Sequence, residues 1–103
     1  MMARTLVVLL AGIALAGPLH AGDAAEGKKK TQMCEGCHGI DGYRTAYPKV
    51  YSAPRLGGQH AEYLIKALQA YKSGERKHPS MVGVAGSLTD ADMANLAAYY
   101  AAQ

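Results

Sequence analysis

Past residue 21, apolar residues recur at helical spacing in three stretches, and polar or turn-forming residues separate them. The first stretch opens at Asp23, whose carboxylate suits the free amides of a helix start. Glu26, three residues on, completes a capping box, and the pattern predicts helix to about Cys34. The second runs from about Gln59 to Ser73. Leu64, Ala67, Leu68 and Tyr71 share one stripe, Glu62, Lys66 and Lys72 lie opposite, and Gly74 terminates it. The third starts at Thr89, with Asp92 to close the box and Leu88 placed to staple onto Met93, and continues through Leu96, Tyr99 and Tyr100. Strict alternation appears nowhere and no repeat is visible, so the fold class reads as all-α. The connections, 36–58 and 74–88, are long for so small a chain, and loops of that length are usually functional or disordered.

A different apolar pattern precedes them. Arg4 is followed by an unbroken run of 11 residues, Leu6 to Ala16, and then by Gly17 and Pro18. Roughly 20 apolar residues are needed to cross a bilayer, so this layout reads as a secretory signal peptide, not a membrane span. Cleavage is expected after Ala21, with Ala16 and Ala24 as alternatives. The domain is then residues 22–103, exported to the periplasm. Removing residues 1–21 takes away Arg4 and lowers the formal charge from +3 to +2, far from a nucleic-acid binder's excess.

Composition then sharpens the reading. With no Phe and no Trp, and with many of its apolar residues alanine, the mature stretch has little with which to build a core. Chains below about 70–80 residues usually recruit a staple or a cofactor. A Cys34–Cys37 disulfide would close only a tiny loop and tie nothing distant together. A prosthetic group at the centre is the expected remedy.

Cys34-Glu35-Gly36-Cys37-His38 has the C-x-x-C-H spacing of covalent c-type haem attachment. Two thiols one helical turn apart reach the two vinyl groups on one porphyrin edge, and the adjoining imidazole meets the iron from below the ring. A redox disulfide would want a βαβ context, absent here. A zinc site would need Cys34, Cys37 and two of His38, His60 and His78. The motif occurs once, so one haem is expected. For the sixth iron position the candidates are Met33, His60, His78, Met81 and Met93. Met33 abuts the motif on the side of His38, and Met93 sits at a staple position; both read as core. His60 opens a helix and reads as solvated or capping. Met81 lies 43 residues beyond His38, in the loop from Lys77 to Gly83, with enough chain to approach from the far side of the ring. His78 and an open sixth position are the alternatives.

The chain resembles the class I c-type cytochromes, closest to small soluble periplasmic monohaem types and to single halves of two-haem proteobacterial members. The likeness is carried by Cys34 to His38, by Ala53-Pro54-Arg55-Leu56-Gly57-Gly58-Gln59, by His78-Pro79-Ser80-Met81, and by Leu88 to Asp92 leading into Leu96 to Tyr100. The resemblance implies three main helices packed around one covalent haem. It implies that the Pro54 carbonyl accepts a proton from the haem histidine, that Leu56 packs on the haem, and that Gly27 lets the first and last helices cross beside Leu96 and Tyr99. Thr31 departs from the family, many of whose members place an aromatic residue there.

Other conspicuous residues have plainer explanations. Lys28, Lys29 and Lys30 read as a solvated helix face, with docking on an acidic partner as the sharper alternative. Tyr43, Tyr47 and Tyr51 recur every four residues, but Pro48 argues against a helix, so they are expected to line a loop at the haem edge. Arg55 suits a haem propionate. Asp90 and Asp92 belong to a first helical turn, where negative charge is favourable. The expected function is electron transfer to and from redox proteins such as an oxidase or reductase, with haem c and its iron held by His38 and Met81. Soft thioether ligation favours ferrous iron. A haem enzyme or gas sensor with an open distal site, and a cytochrome subunit of a larger oxidoreductase, are the alternatives.

Overall fold

The computed structural model describes residues 22–47 and 49–103. Residues 1–21, where the signal peptide is expected, and Pro48 lie outside them. Five helices and one small hairpin follow in order: α1 Ala24–Lys29, α2 Gln32–His38, β1 Arg44–Thr45, β2 Tyr51–Ser52, α3 Ala61–Ser73, α4 Pro79–Gly86 and α5 Asp90–Ala101.

The first predicted helix is in fact two. Asp23 caps α1 by accepting from the amides of Ala25 and Glu26, as its position suggested. The expected box does not close, because the Asp23 amide donates to Asn95 Oδ1 and the Glu26 carboxylate pairs with Lys29 instead. Thr31 then turns its hydroxyl back onto the Lys28 carbonyl at 2.9 Å. A back-bonding threonine competes for a carbonyl that the next helical amide would use, and here the ladder breaks. The chain restarts as α2, which carries both thiols and the histidine of the C-x-x-C-H motif. In place of an aromatic residue, Thr31 is buried with its only polar side-chain group satisfied locally.

α3 has the predicted stripe and ends where Gly74 adopts a left-handed φ of 83° that other residues rarely tolerate. α5 begins with the full capping box, Thr89 amide to Asp92 carboxylate at 3.0 Å and Asp92 amide to Thr89 hydroxyl at 3.1 Å. Three elements were not anticipated. α4 occupies part of the 74–88 connection, started by Pro79 in its first turn. β1 and β2 pair antiparallel, Arg44 opposite Ser52 and Thr45 opposite Tyr51, inside the other connection.

α1 crosses α5 closely. The Asp23 amide donates to Asn95 Oδ1 at 2.8 Å, and a Cβ on Gly27 would collide with the Asn95 carbonyl, so only glycine permits the approach. The core itself is small: Leu64, Leu88, Met93, Leu96, Ala97 and Tyr100, with Cys34, Leu56, Ala61, Ile65, Leu68 and Tyr99 packed against it. Its other side is not protein. Leu56, Leu64, Leu68, Leu96, Ala97 and Tyr100 also line a large cavity, so much of the core is a wall and not a filled interior.

Candidate functional site

The cavity measures about 610 Å³, within the roughly 300–1,000 Å³ typical of ligand sites. Three segments bring chemistry to it. α2 contributes Met33, Cys34, Cys37 and His38; the chain from Thr45 to Gln59 contributes Tyr51, Pro54, Arg55 and Leu56; the turn into α4 contributes His78, Met81 and Val84.

His38 is held by one short bond, Nδ1 to the Pro54 carbonyl at 2.7 Å. A carbonyl can only accept, so the proton must sit on Nδ1, and the lone pair of Nε2 is left for a metal. Such a bond orients a ligating imidazole and makes it more basic. Half-buried Leu56 lies two residues further along the same strap. The strap is fastened again where Gly58, at φ 79°, donates its amide to the Tyr100 carbonyl of α5 at 3.0 Å.

Cys34 and Cys37 are unpaired thiols spaced one helical turn apart on α2. Burial pushes the Cys34 thiol above its ordinary range, the Tyr100 hydroxyl partly opposing this. Tyr100 is itself raised, first by burial and then by donating to Glu35 Oε1 at 2.8 Å, so it is a neutral donor at any ordinary pH. Nothing in the sequence pattern marked this Glu35–Tyr100 bond, which links α2 to α5 across 65 residues. Helical spacing placed Tyr100 inward, and only the fold puts Glu35 within its reach.

In the third of these segments His78 caps α4: its Nδ1 faces the Met81 amide at 3.4 Å, and its ring packs on Tyr51 with centroids 4.3 Å apart. Met81 is half-buried on the cavity wall. Among the other ligand candidates, Met93 is fully buried in the core (0 % exposed) and His60 is exposed at the N-cap of α3 with no side-chain capping bond. Neither lines the cavity. Met33 corrects the expectation of a core residue: it is 50 % exposed and borders the cavity, because short α2 packs its apolar face on that space.

The tyrosines divide. Tyr51 lines the cavity, and the Tyr43 hydroxyl is raised by contact with the Cys37 sulfur. Tyr47 projects into solvent at 89 % exposure, against the expectation that all three line the edge. The strands are only two residues each, and Tyr47 falls beyond β1 while Tyr51 belongs to β2.

The cavity suits the group that its motif requires. Its walls are mostly apolar side chains, its charged members are Arg55, Arg76 and Lys77, and no carboxylate lines it. An apolar macrocycle with acidic side arms matches that combination. Arg55 sits 3.7 Å from Asp41 with both highly exposed, a pair too weak to withhold the guanidinium from another carboxylate. Two free thiols, an oriented imidazole and a methionine on the wall are residues that would suit a haem c.

Comparison with known proteins agrees. The cytochrome c family model matches residues 24–101. Cytochrome c4 of Pseudomonas aeruginosa is 42 % identical over 103 residues, 99 % of this chain and 49 % of that protein. Cytochrome c-554(548) of Halomonas halodenitrificans is 44 % identical over 86 residues, 81 % of this chain and 99 % of that protein. The solved cytochrome c4 of Acidithiobacillus ferrooxidans superposes with a TM-score of 0.64 at 34 % identity, covering 85 % of this chain and 53 % of its own. The chain thus spans about half the length of its cytochrome c4 relatives and nearly the full length of a shorter one. On motif, fold and the extent of these matches, the chain belongs to the cytochrome c family and has its class I fold, whose cofactor is covalently bound haem c.

Proposed function

We propose that this chain is an electron carrier in which one haem c, attached through Cys34 and Cys37, is ligated by His38 and Met81. The single observation that carries the reading is one cavity with an oriented imidazole on one wall, a methionine on another, and both thiols beside them. When bound, haem supplies a one-electron ferric/ferrous couple. The chain's part is to hold the surroundings still. Pro54 fixes the His38 ring, and Leu56, Leu64 and Leu68 keep water from the inner face. Little has to reorganise between oxidation states. The His78 tautomer favours Met81 as the distal ligand, since Nδ1 is turned to an amide and its proton therefore sits on Nε2.

The chain is exported to the periplasm with residues 1–21 removed, and residues 22–103 form the working domain. Among the described residues no helix is long and apolar enough to cross a membrane. Its partners are other redox proteins, such as an oxidase or reductase. One relative, 34 % identical over 98 residues, is a thiosulfate dehydrogenase electron acceptor in Stutzerimonas stutzeri.

The test is a reduced-minus-oxidised spectrum of the purified protein, with carbon monoxide added to the reduced form, followed by acid–acetone extraction. Covalent attachment keeps haem on the polypeptide, and a closed distal site leaves the reduced spectrum unchanged by carbon monoxide. Extractable haem would remove the attachment assignment. Ready carbon monoxide binding would replace the carrier with an open-site sensor or enzyme.

A further inference from the structure

Met81 is a difficult residue to hold in place. Its side chain has three rotatable bonds, so the position of the sulfur is only as well defined as the backbone beneath it. That backbone belongs to α4, eight residues reading Pro-Ser-Met-Val-Gly-Val-Ala-Gly. A helix this short is marginal by itself, and glycine within one is unfavourable relative to alanine. α4 must be fixed from outside, and its first turn carries the ligand.

Three constraints converge on residue 78. Its carbonyl accepts the Val82 amide at 2.8 Å, the first helical bond of α4. Its ring Nδ1 faces the Met81 amide, satisfying one of the donors that a helix start leaves free. Its ring packs on Tyr51 at 4.3 Å and 55°. Tyr51 is in turn fixed by the hairpin, where its amide donates to Thr45 Oγ1 at 3.1 Å. Three residues beyond Tyr51, Pro54 accepts from His38. The segment 51–54 therefore reaches His38 through a carbonyl and His78, three residues before Met81, through an aromatic contact.

We propose that His78, capping α4 and packed on Tyr51, is the positioning residue that holds the Met81 thioether at its coordinating place. The inference rests on Met81 being the distal ligand. It adds that the bond persists because the cap and the hairpin keep the first turn of α4 from opening. His78 is not itself a ligand in this arrangement.

The holoprotein and four variants test it: Met81→Ala, His78→Leu, His78→Asn and Tyr51→Leu. The readouts are the long-wavelength charge-transfer band of methionine-ligated ferric haem, the midpoint potential, and carbon monoxide binding to ferrous protein, with urea unfolding as the measure of global stability. Met81→Ala abolishes the band, which establishes the ligand. His78→Leu weakens the band, lowers the potential and raises the carbon monoxide-accessible fraction roughly five-fold, the population change that loss of a typical cap corresponds to. His78→Asn restores an N-cap acceptor and recovers most of the band. Tyr51→Leu, which leaves α4 unaltered in sequence, reproduces part of the His78→Leu effect and keeps the test usable if that variant folds poorly. If Met81→Ala abolishes the band while His78→Leu and Tyr51→Leu leave it and carbon monoxide binding unchanged, the positioning role is overturned and the ligand stands. If Met81→Ala retains the band, the ligand assignment fails and this inference fails with it.

Discussion

Two methionines of this chain show how differently one residue type is used. Met93 is fully buried in the core at the staple position of α5, while Met81 borders the cavity. Met93 contributes volume, so Met93→Leu should cost under about 1.5 kcal/mol, and Met93→Ala about 2–5 kcal/mol for the cavity it leaves. Neither should alter the haem spectrum. Met81→Ala should do the reverse, changing the spectrum and potential with a smaller effect on folding. Urea unfolding and visible spectra of the three variants check the separation; a Met93→Leu protein that binds carbon monoxide would contradict it. Sequence spacing was enough to tell these residues apart, because one lies in a strong helical pattern and the other in a long connection. It failed for Met33, whose exposure depends on how a short helix faces the cavity, and for Glu35, whose bond to Tyr100 is set by the fold alone.

Elements with strong local signals were legible: the caps of α1 and α5, the stripe of α3 and the stop at Gly74. Those decided by competition were not. The break between α1 and α2 hinges on one threonine hydroxyl choosing the Lys28 carbonyl, and α4 has too many glycines for its pattern to announce a helix. The α1–α5 crossing yields a prediction whose sign is unusual. Glycine to alanine in a helix ordinarily gains about 1 kcal/mol. At Gly27 the added methyl group meets the Asn95 carbonyl, and overpacking of this kind costs about 1–3 kcal/mol, so Gly27→Ala should be destabilising. A raised melting temperature would mean that the helices part without cost. The α5 cap gives a second prediction. The Asp92 carboxyl lies below its ordinary 3.8, first because it accepts from the Thr89 amide, with burial opposing and the Thr89 hydroxyl and Lys30 assisting. A carboxyl lowered in the folded state contributes stability that is complete above its unfolded value and lost as pH falls through the folded one. The melting temperature should therefore fall below about pH 4, and Asp92→Asn should flatten that part of the profile. An unchanged slope would show that the box contributes nothing there.

At the scale of the whole molecule, charge that looks freely available in the sequence is partly engaged in the fold. Lys29 pairs with Glu26 at 2.8 Å, Lys30 with Asp92 at 3.4 Å, and Lys72 donates to the Leu88 carbonyl that precedes α5. The lysine run thus serves α1 and its crossing before any partner. The cations that border the cavity are Arg55, Arg76, which lies over the Tyr71 ring at 4.5 Å, and Lys77. If electrons pass at this side, an acidic partner should be drawn to these residues and not to the face of α1. Exposed charges are screened beyond about 8–10 Å at physiological salt, so raising ionic strength should slow electron transfer to an acidic redox protein. Lys77→Glu should slow it at low salt and reduce the salt dependence, while Lys28→Glu, on a helix that does not line the cavity, should change both far less. Stopped-flow rates over a salt series separate the possibilities. Equal effects at both positions would return docking to the lysine run, and rates indifferent to salt in all three proteins would point to an apolar contact made by residues such as Ile40 and Val50, both of them exposed.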